Sequence, residues 1–217
     1  MIPLNPGYVS LGIVLIVLIL AATGWRPYLA PDTDSRKMAI VVLLLAAVIP
    51  TSLWLSLVIF NLQLHVHASA CIVIIAAFLI YLDPEEVGYK VYLVLSALLI
   101  ATIWGFTRML YSYDPVFFWL SPSWDSPIAG GLLCSAFSSQ VKHQFGMLVW
   151  GAVFGEVLHA ALMSGTNVPF IGSLAWWDSF LIAIVTARIC SMMLLLMRLG
   201  ISKLSLILWR VKGGRSS

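Results

Sequence analysis

The chain has 217 residues, of which 61% are hydrophobic and only 10% are charged, and its formal net charge is +3. Soluble domains carry about 25% charged residues, so this composition excludes a water-soluble globular protein and predicts an integral membrane protein surrounded by membrane lipids. No basic patch with interleaved surface aromatics is present, so nucleic acid is not an expected partner.

Seven apolar segments are predicted to cross the membrane, which takes about 20 residues of helix. In chain order they are 8–24, 38–59, 68–82, 89–106, 128–139, 145–163 and 176–199. We therefore expect an all-α transmembrane bundle over residues 1–200, with the N-terminus outside and the C-terminus in the cytoplasm. Residues 201–217 are predicted to form a basic amphipathic cytoplasmic tail.

Between the second and third spans, polar and apolar side chains alternate over residues 61–67. A period of two is typical of a half-buried extended segment, whereas a helix would scatter the same side chains around its surface. We therefore predict a short extended piece at the membrane surface. Its histidines, His65 and His67, are candidates for a polar group at the outer rim.

The connection over residues 108–127 is rich in aromatic residues and is interrupted by prolines. Aromatics at this density are typical of the interfacial belt of a membrane protein, and the prolines exclude a long helix. An anchor among lipid head groups is the favoured interpretation, and a lid over a cavity is the alternative.

The segment 128–139 is short enough either to span the membrane or to re-enter it. With seven spans and the N-terminus outside, ten of the twelve Lys and Arg residues lie on the cytoplasmic side. Arg108 is then outside and Arg188 within the bilayer. This agreement with the positive-inside rule favours seven spans. Six spans plus a re-entrant segment is the alternative, and it places either the basic first loop or the basic tail outside.

The three cysteines, Cys71, Cys134 and Cys190, lie far apart within apolar segments. An odd number without CxxC spacing predicts neither a disulfide framework nor a zinc site. We expect buried, unreactive thiols and neither a metal nor a cofactor.

The sixth span carries an unusual group of small and polar residues. At 100° per residue, Gly151, Gly155, Glu156 and His159 share one sector of the helix. The two glycines predict close approach by another helix, so this sector should face protein and not lipid. An ionisable side chain at bilayer depth costs about 2.5–3.5 kcal/mol on insertion scales, which makes Glu156 a candidate functional residue.

The seventh span supplies a charge of opposite sign, Arg188. Counted at 1.5 Å per residue from the predicted cytoplasmic ends, Glu156 lies about 18 Å deep and Arg188 about 15 Å deep. We therefore predict an intramembrane polar cluster in which Glu156 pairs with Arg188, joined by His159. Asp178 lies about 15 Å along the helix from Arg188, too far to be its main partner, and is assigned to the outer rim.

A polar cluster of this kind permits three functions. The favoured one is a non-catalytic membrane component that binds a hydrophobic or amphiphilic small molecule or a partner membrane protein. The second is a proton-coupled transporter that uses Glu156, since such groups mark ion pathways. The third is a lipid-modifying enzyme that uses Glu156 and His159, because Glu-x-x-His places two ligand-competent groups on one helical face.

Three short motifs carry a resemblance to a known family. They are Asn5-Pro6-Gly7-Tyr8, Ala22-Thr23-Gly24-Trp25-Arg26 and Gly155-Glu156-Val157-Leu158. Together they resemble the YphA-like family, which are small polytopic membrane proteins of Bacillus-type bacteria. The resemblance implies a multi-pass protein of the cell membrane over nearly the whole chain, without an assigned activity and without catalytic residues.

Overall fold

The computed structural model describes residues 5–25, 27, 35–59, 62–83, 85–114, 119–163 and 168–213. Seven helices and three short strands are described within these ranges. In chain order they are α1 (Tyr8–Ala22), α2 (Ser35–Val48), β1 (Trp54–Ile59), β2 (Leu62–His67), α3 (Ala68–Leu82), α4 (Val87–Tyr113), α5 (Asp125–Phe137), α6 (Val141–Leu162), β3 (Phe170–Ile171) and α7 (Leu174–Gly213).

The helical prediction is confirmed at the level of the elements. Helix α4, helix α6 and the part of α7 over Leu174–Arg198 are long and apolar enough to cross a bilayer. Helices α1 and α3 and the apolar part of α2 are shorter, at 10–17 residues. The predicted tail does not begin a new element, because α7 continues without a break to Gly213.

The second predicted span is wrong in its second half. Helix α2 ends at Val48, a turn follows at Pro50, and Trp54–Ile59 is a strand instead of a helix. Proline lacks a backbone N–H and clashes with the preceding turn, which favours a helix end there. The fold is therefore mostly helical and not all-α.

The three strands form one small sheet in the order β1-β2-β3. Strand β2 confirms the extended segment predicted from the alternation of polar and apolar residues. It pairs antiparallel with β1, with Trp54 opposite His67, and parallel with β3, with His65 opposite Phe170. The sheet thus joins the α2–α3 connection to the α6–α7 connection.

Helix α4 packs chiefly against α6, and α5 packs chiefly against α7. Small residues allow the first pair to approach closely. A Cβ atom added at Gly151 would lie 2.6 Å from Ile100 Cγ2, and one added at Gly155 would lie 2.9 Å from Trp104. Both neighbours, Ile100 and Trp104, are fully buried. The bundle core therefore lies along the α4–α6 contact.

The helices run between two ends of the bundle. At the hairpin end, defined by the β1–β2 hairpin, Asp178 of α7 accepts hydrogen bonds from the backbone N–H groups of Gly7 and Ser10, both at 2.7 Å. At the opposite Glu85 end, Glu85 accepts hydrogen bonds at 2.9 Å from Lys142 Nζ and His143 Nε2 at the start of α6. From α3 to α7, successive connections alternate between these ends.

Candidate functional site

A cavity of about 310 Å³ opens at the hairpin end, between α4, α6 and the chain around β3. Its polar lining comes from the last turns of α4 and α6, and its apolar lining comes mainly from the connection that leads into α7. The lining residues are Arg108, Glu156, His159, Ala160, Val168, Pro169, Phe170, Ser173, Ala175 and Trp176.

Helix α4 brings Arg108 to the cavity because it continues past the predicted end of the fourth span. Hydroxyl groups of Thr107 and Ser112 donate to the carbonyls of Ile103 and Arg108, four residues earlier, at 2.6 and 2.9 Å. Such bonds satisfy polar side chains on their own helix. Helix α4 continues to Tyr113 with these hydroxyl groups bonded to its own carbonyls, and it therefore carries Arg108 within its last two turns.

The wall opposite these two helices is fixed by a glycine turn. Gly172 has φ +88°, and a Cβ atom there would lie 2.9 Å from both Ala70 Cβ and His67 Cβ. Positive φ and this close approach both require glycine. Ser173 then caps α7, because its Oγ accepts the backbone N–H of Trp176 at 3.3 Å. The turn places Phe170 and Trp176 on the same cavity.

Arg108 and Glu156 form an ion pair at the cavity between Nη1 and Oε1. The Glu156 side chain is 10% exposed and that of Arg108 is 30% exposed. Trp104 Nε1 also points to Glu156 Oε1, at 3.4 Å. The carboxylate is thus held between α6 and α4, and the guanidinium remains partly open.

His159 contacts Ser112 through Nε2, at 3.3 Å. The Ser112 hydroxyl hydrogen is already donated to the Arg108 carbonyl, so Ser112 Oγ accepts this bond and His159 Nε2 is the donor. In the neutral ring, Nδ1 is then the acceptor. Glu156 and His159 therefore line one cavity, one helical turn apart.

The predicted Glu156–Arg188 pair is wrong. Arg188 Nη1 donates to Ser139 O at 3.2 Å and to Gln144 Oε1 at 3.3 Å, at the Glu85 end. Gln144 precedes Glu156 by twelve residues on α6, which is roughly 18 Å along the helix axis. Arg188 therefore does not belong to the cluster of Glu156 and His159, and Arg108 takes its place.

The two glycines of the sixth span lie against α4 and not against α7. A third glycine completes this contact from the other side, because a Cβ atom at Gly105 would lie 2.7 Å from the carbonyl oxygen of Gly155. This close approach brings Arg108, one turn beyond Gly105, within reach of Glu156.

The histidines of β2 bind within the hairpin and do not line the cavity. His67 Nε2 donates to the Thr51 carbonyl at 2.9 Å and its Nδ1 lies 2.8 Å from Ser69 Oγ. His65 lies 2.9 Å from Ser56 Oγ and stacks on Phe170, with ring centroids 5.0 Å apart. They share the hairpin end with Asp178, which binds the start of α1.

Sequence reasoning did not single out several buried polar groups. Gln144 donates to Ser138 O and Ser191 Oγ, both at 2.6 Å, and Asp125 accepts three backbone N–H groups of residues 119–121. Burial raises the pKa of Glu85, but hydrogen bonds from Lys142 and His143 outweigh burial and hold that pKa below its usual value. These groups all contact protein and lie outside the cavity.

The remaining predictions fall partly outside the described residues. Of the aromatic connection, residues 115–118 lie outside them, and Trp119 is exposed. Cys71, Cys134 and Cys190 are free thiols. Among the described residues, no group of three or more His, Cys, Asp or Glu side chains is placed to hold a metal ion.

Comparison with known proteins places the chain in one family. Neither a curated protein nor a solved structure matches it. The resemblance carried by the three short motifs is confirmed, because residues 25–207, most of the chain, match a family model. That family is described as YphA-like integral membrane protein, and the chain belongs to it.

Proposed function

We propose that this protein is a non-catalytic binding component of the membrane whose cavity at the hairpin end holds the polar head of an amphiphile. The observation that carries the proposal is the Arg108–Glu156 ion pair, which lines a cavity of about 310 Å³ instead of being sealed in the core. Removing two charges from water costs several kcal/mol per ion, so an ion pair fully shielded from water adds little to stability.

The size and lining of the cavity fit a head group. Ligand pockets span about 300–1,000 Å³, so this cavity is at the small end and suits a polar head better than a whole lipid. One side offers Arg108, Glu156 and His159, and the other offers Phe170 and Trp176. A polar side facing an apolar one suits a molecule that has both parts.

Packing beneath the cavity favours binding over transport. Ile100, Trp104 and Met147 are fully buried in the bundle between Glu156 and the Glu85 end. A proton-coupled transporter that uses Glu156 needs polar groups or water along that path. The third candidate, a lipid-modifying enzyme, would use Glu156 and His159, which do line one cavity. However, Glu156 Oε1 is already held by Arg108 and Trp104, which favours a binding role over a catalytic one.

We also propose that all seven helices cross the cell membrane, with the N-terminus outside and the C-terminus in the cytoplasm. The alternation of connections between the two ends supports this arrangement. Arg188 lies near Gln144 at the Glu85 end, which is the cytoplasmic end in this arrangement. Only Arg108, of the twelve Lys and Arg residues, is then assigned to the outer half, in keeping with the positive-inside rule.

A cavity-filling variant tests the proposed function. Ala175 lines the cavity and is exposed, so Ala175→Phe should reduce its volume without disturbing the core. We expect amphiphiles that copurify with the wild-type protein in mild detergent, identified by mass spectrometry, to be depleted in this variant. Ala161→Phe, at an exposed position of α6 outside the cavity lining, is the matched control. Equal recovery from both variants would contradict the proposal.

A further inference from the structure

We infer that the cavity selects a zwitterionic head group, with an anionic group on Arg108 and an ammonium group on Glu156. This inference rests on the proposed function and names the class of its ligand. A phosphoethanolamine head is the simplest membrane example, because it carries both charges a few bonds apart.

Several N–H donors of the Arg108 guanidinium make no hydrogen bond within the described residues. Arginine presents five N–H donors in a planar fork. Among the described residues, only Nη1 makes a hydrogen bond, to Glu156, while the Arg108 side chain is 30% exposed and lines the cavity. The remaining N–H groups are suited to the oxygens of a phosphate, which arginine binds in a bidentate manner.

The carboxylate of Glu156 has acceptor capacity to spare. Arg108 and Trp104 both donate to Oε1, and no donor within the described ranges contacts Oε2. In its neutral form, the His159 ring adds an acceptor at Nδ1, one turn away on the same helix. An ammonium group with three N–H donors matches these acceptors.

Charge balance favours a ligand that carries both signs. With Arg108 positive and Glu156 negative, the pair is neutral. An anion that draws Arg108 away leaves the Glu156 carboxylate uncompensated at a position 10% exposed, and a cation that draws Glu156 away leaves Arg108 uncompensated. Uncompensated buried charge is costly, whereas a zwitterion brings one charge of each sign and keeps both residues compensated.

The apolar side of the cavity indicates where the rest of the ligand lies. Trp176 lines the cavity and is 3% exposed, and its Nε1 has no hydrogen-bond partner among the described residues. Buried tryptophan N–H groups usually have one. With Phe170 on the same lining, this side accepts the apolar part of an amphiphile.

Binding of short-chain lipids to the purified protein tests the inference. The probes are dihexanoyl phosphatidylethanolamine, dihexanoyl phosphatidylglycerol, hexylamine and chain-free glycerophosphoethanolamine, with affinity measured by calorimetry. We expect the phosphatidylethanolamine to bind at least about tenfold more tightly than the phosphatidylglycerol or the amine, since one charge-assisted hydrogen bond contributes about 1.5–3 kcal/mol. Weaker binding of the chain-free head identifies a lipid as the source, and equal binding identifies a free zwitterion; both support the charge selection.

Two variants separate this inference from loss of folding. Glu156→Gln should abolish the preference, whereas Glu85→Gln, the same change at the other end, should keep it. Exchanging the charges, with Arg108→Glu and Glu156→Arg together, retains a pair but reverses the order that the lipid head must match, so binding should fall. Tighter binding of phosphatidylglycerol would overturn the zwitterion while retaining the head-group function. Binding of no probe would overturn both.

Discussion

The position of Arg108 relative to Glu156 determines how the Glu156 carboxylate is held and whether it can be reached from the cavity. Arg108 sits near the end of an apolar segment, where an arginine is usually assigned to the membrane rim, yet it shares Glu156 Oε1 with Trp104. The Glu156 carboxylate, with two donors on Oε1 and its residue lining the cavity, is both fixed and partly accessible. In the proposed function, this combination allows Glu156 to bind a ligand while it holds α6 against α4.

A double-mutant cycle tests this pairing at the residue scale. We expect Glu156→Gln to destabilise the protein by about 1–3 kcal/mol, because the partly buried Arg108 charge loses its partner. The coupling free energy between Glu156→Gln and Arg108→Gln should be about 0.5–3 kcal/mol in thermal unfolding of the purified protein.

The pairing with Arg188, which the depth estimate predicted, supplies the control for this cycle. Arg188 contacts Gln144, so its coupling to Glu156 should be within about 0.5 kcal/mol of zero. A larger coupling to Arg188 than to Arg108 would contradict the site described above.

At the element scale, the approach of α4 to α6 depends on glycine. We expect Gly151→Ala to destabilise the protein by about 1–3 kcal/mol, because its Cβ would lie 2.6 Å from the buried Ile100 Cγ2. Unfolding by heat or by a denaturing detergent measures the change.

Gly12, within α1, is the matched control for this substitution. Apart from its chain neighbours and the backbone of α1 itself, no atom of the described residues lies within 4 Å of a Cβ added there. Gly12→Ala should therefore leave stability unchanged or raise it by up to about 1 kcal/mol through helix propensity. Similar losses from both variants would indicate that α4 and α6 do not meet at Gly151.

At the Glu85 end, a pH-dependent contact joins the α3–α4 connection to α6. The pKa of Glu85 is lower in the folded protein than in the unfolded chain, because hydrogen bonds from Lys142 and His143 outweigh the effect of burial. Its contribution to stability is therefore present above its unfolded pKa, about 4.3 for a glutamate, and is lost as the pH falls through the folded value.

Glu85→Gln removes this contribution. We expect the variant to be less stable than the wild type at pH 7 by about 1 kcal/mol or less, since the Glu85 side chain is 22% exposed. The two unfolding temperatures should converge as the pH is lowered below about 4. A difference that persists unchanged in acid would rule out the carboxylate as its source.

At the scale of the whole molecule, hydropathy predicted most of the helices because lipid exposure requires apolar side chains. The predicted segment 68–82 has the same bounds as α3, and the alternation over residues 61–67 predicted β2. Strand β1 was missed because a short apolar run reads alike as a strand or as part of a buried helix. Only its pairing with β2 distinguishes the two.

The polar site was predicted only in part, for a related reason. The polar residues beyond 106 and beyond 199 predict that the fourth and seventh spans end there. Helices α4 and α7 both continue beyond those points, to Tyr113 and Gly213. Depth counted from those predicted ends therefore places Arg188 at nearly the same depth as Glu156, and it places Arg108 at the membrane rim. The partner of a buried charge is determined by how the helices pack in three dimensions. The spacing of residues along one helix does not give that packing.

The crossing of α5 is the feature on which the seven-span arrangement depends. This helix has 13 residues, about 20 Å at 1.5 Å per residue, against a hydrocarbon core of about 30 Å. Yet its first residue, Asp125, accepts a hydrogen bond from Tyr111 near the end of α4. Its last residue, Phe137, accepts one from Tyr92 near the start of α4. Helix α5 thus runs antiparallel to α4, and more than half of its residues are buried, although Leu132 is exposed.

Single cysteines on either side of α5 test the crossing, in a variant whose three native cysteines are replaced by alanine. Trp119 and Gln140 are exposed before and after α5. We expect Trp119→Cys to react with a membrane-impermeant maleimide in intact cells, and Gln140→Cys to react only after permeabilisation. Two controls flank α3. Val58→Cys should be labelled in intact cells, as Trp119→Cys is, and Glu86→Cys only after permeabilisation, as Gln140→Cys is. If Trp119→Cys and Gln140→Cys were labelled from the same side, α5 would re-enter the membrane and the six-span arrangement would hold.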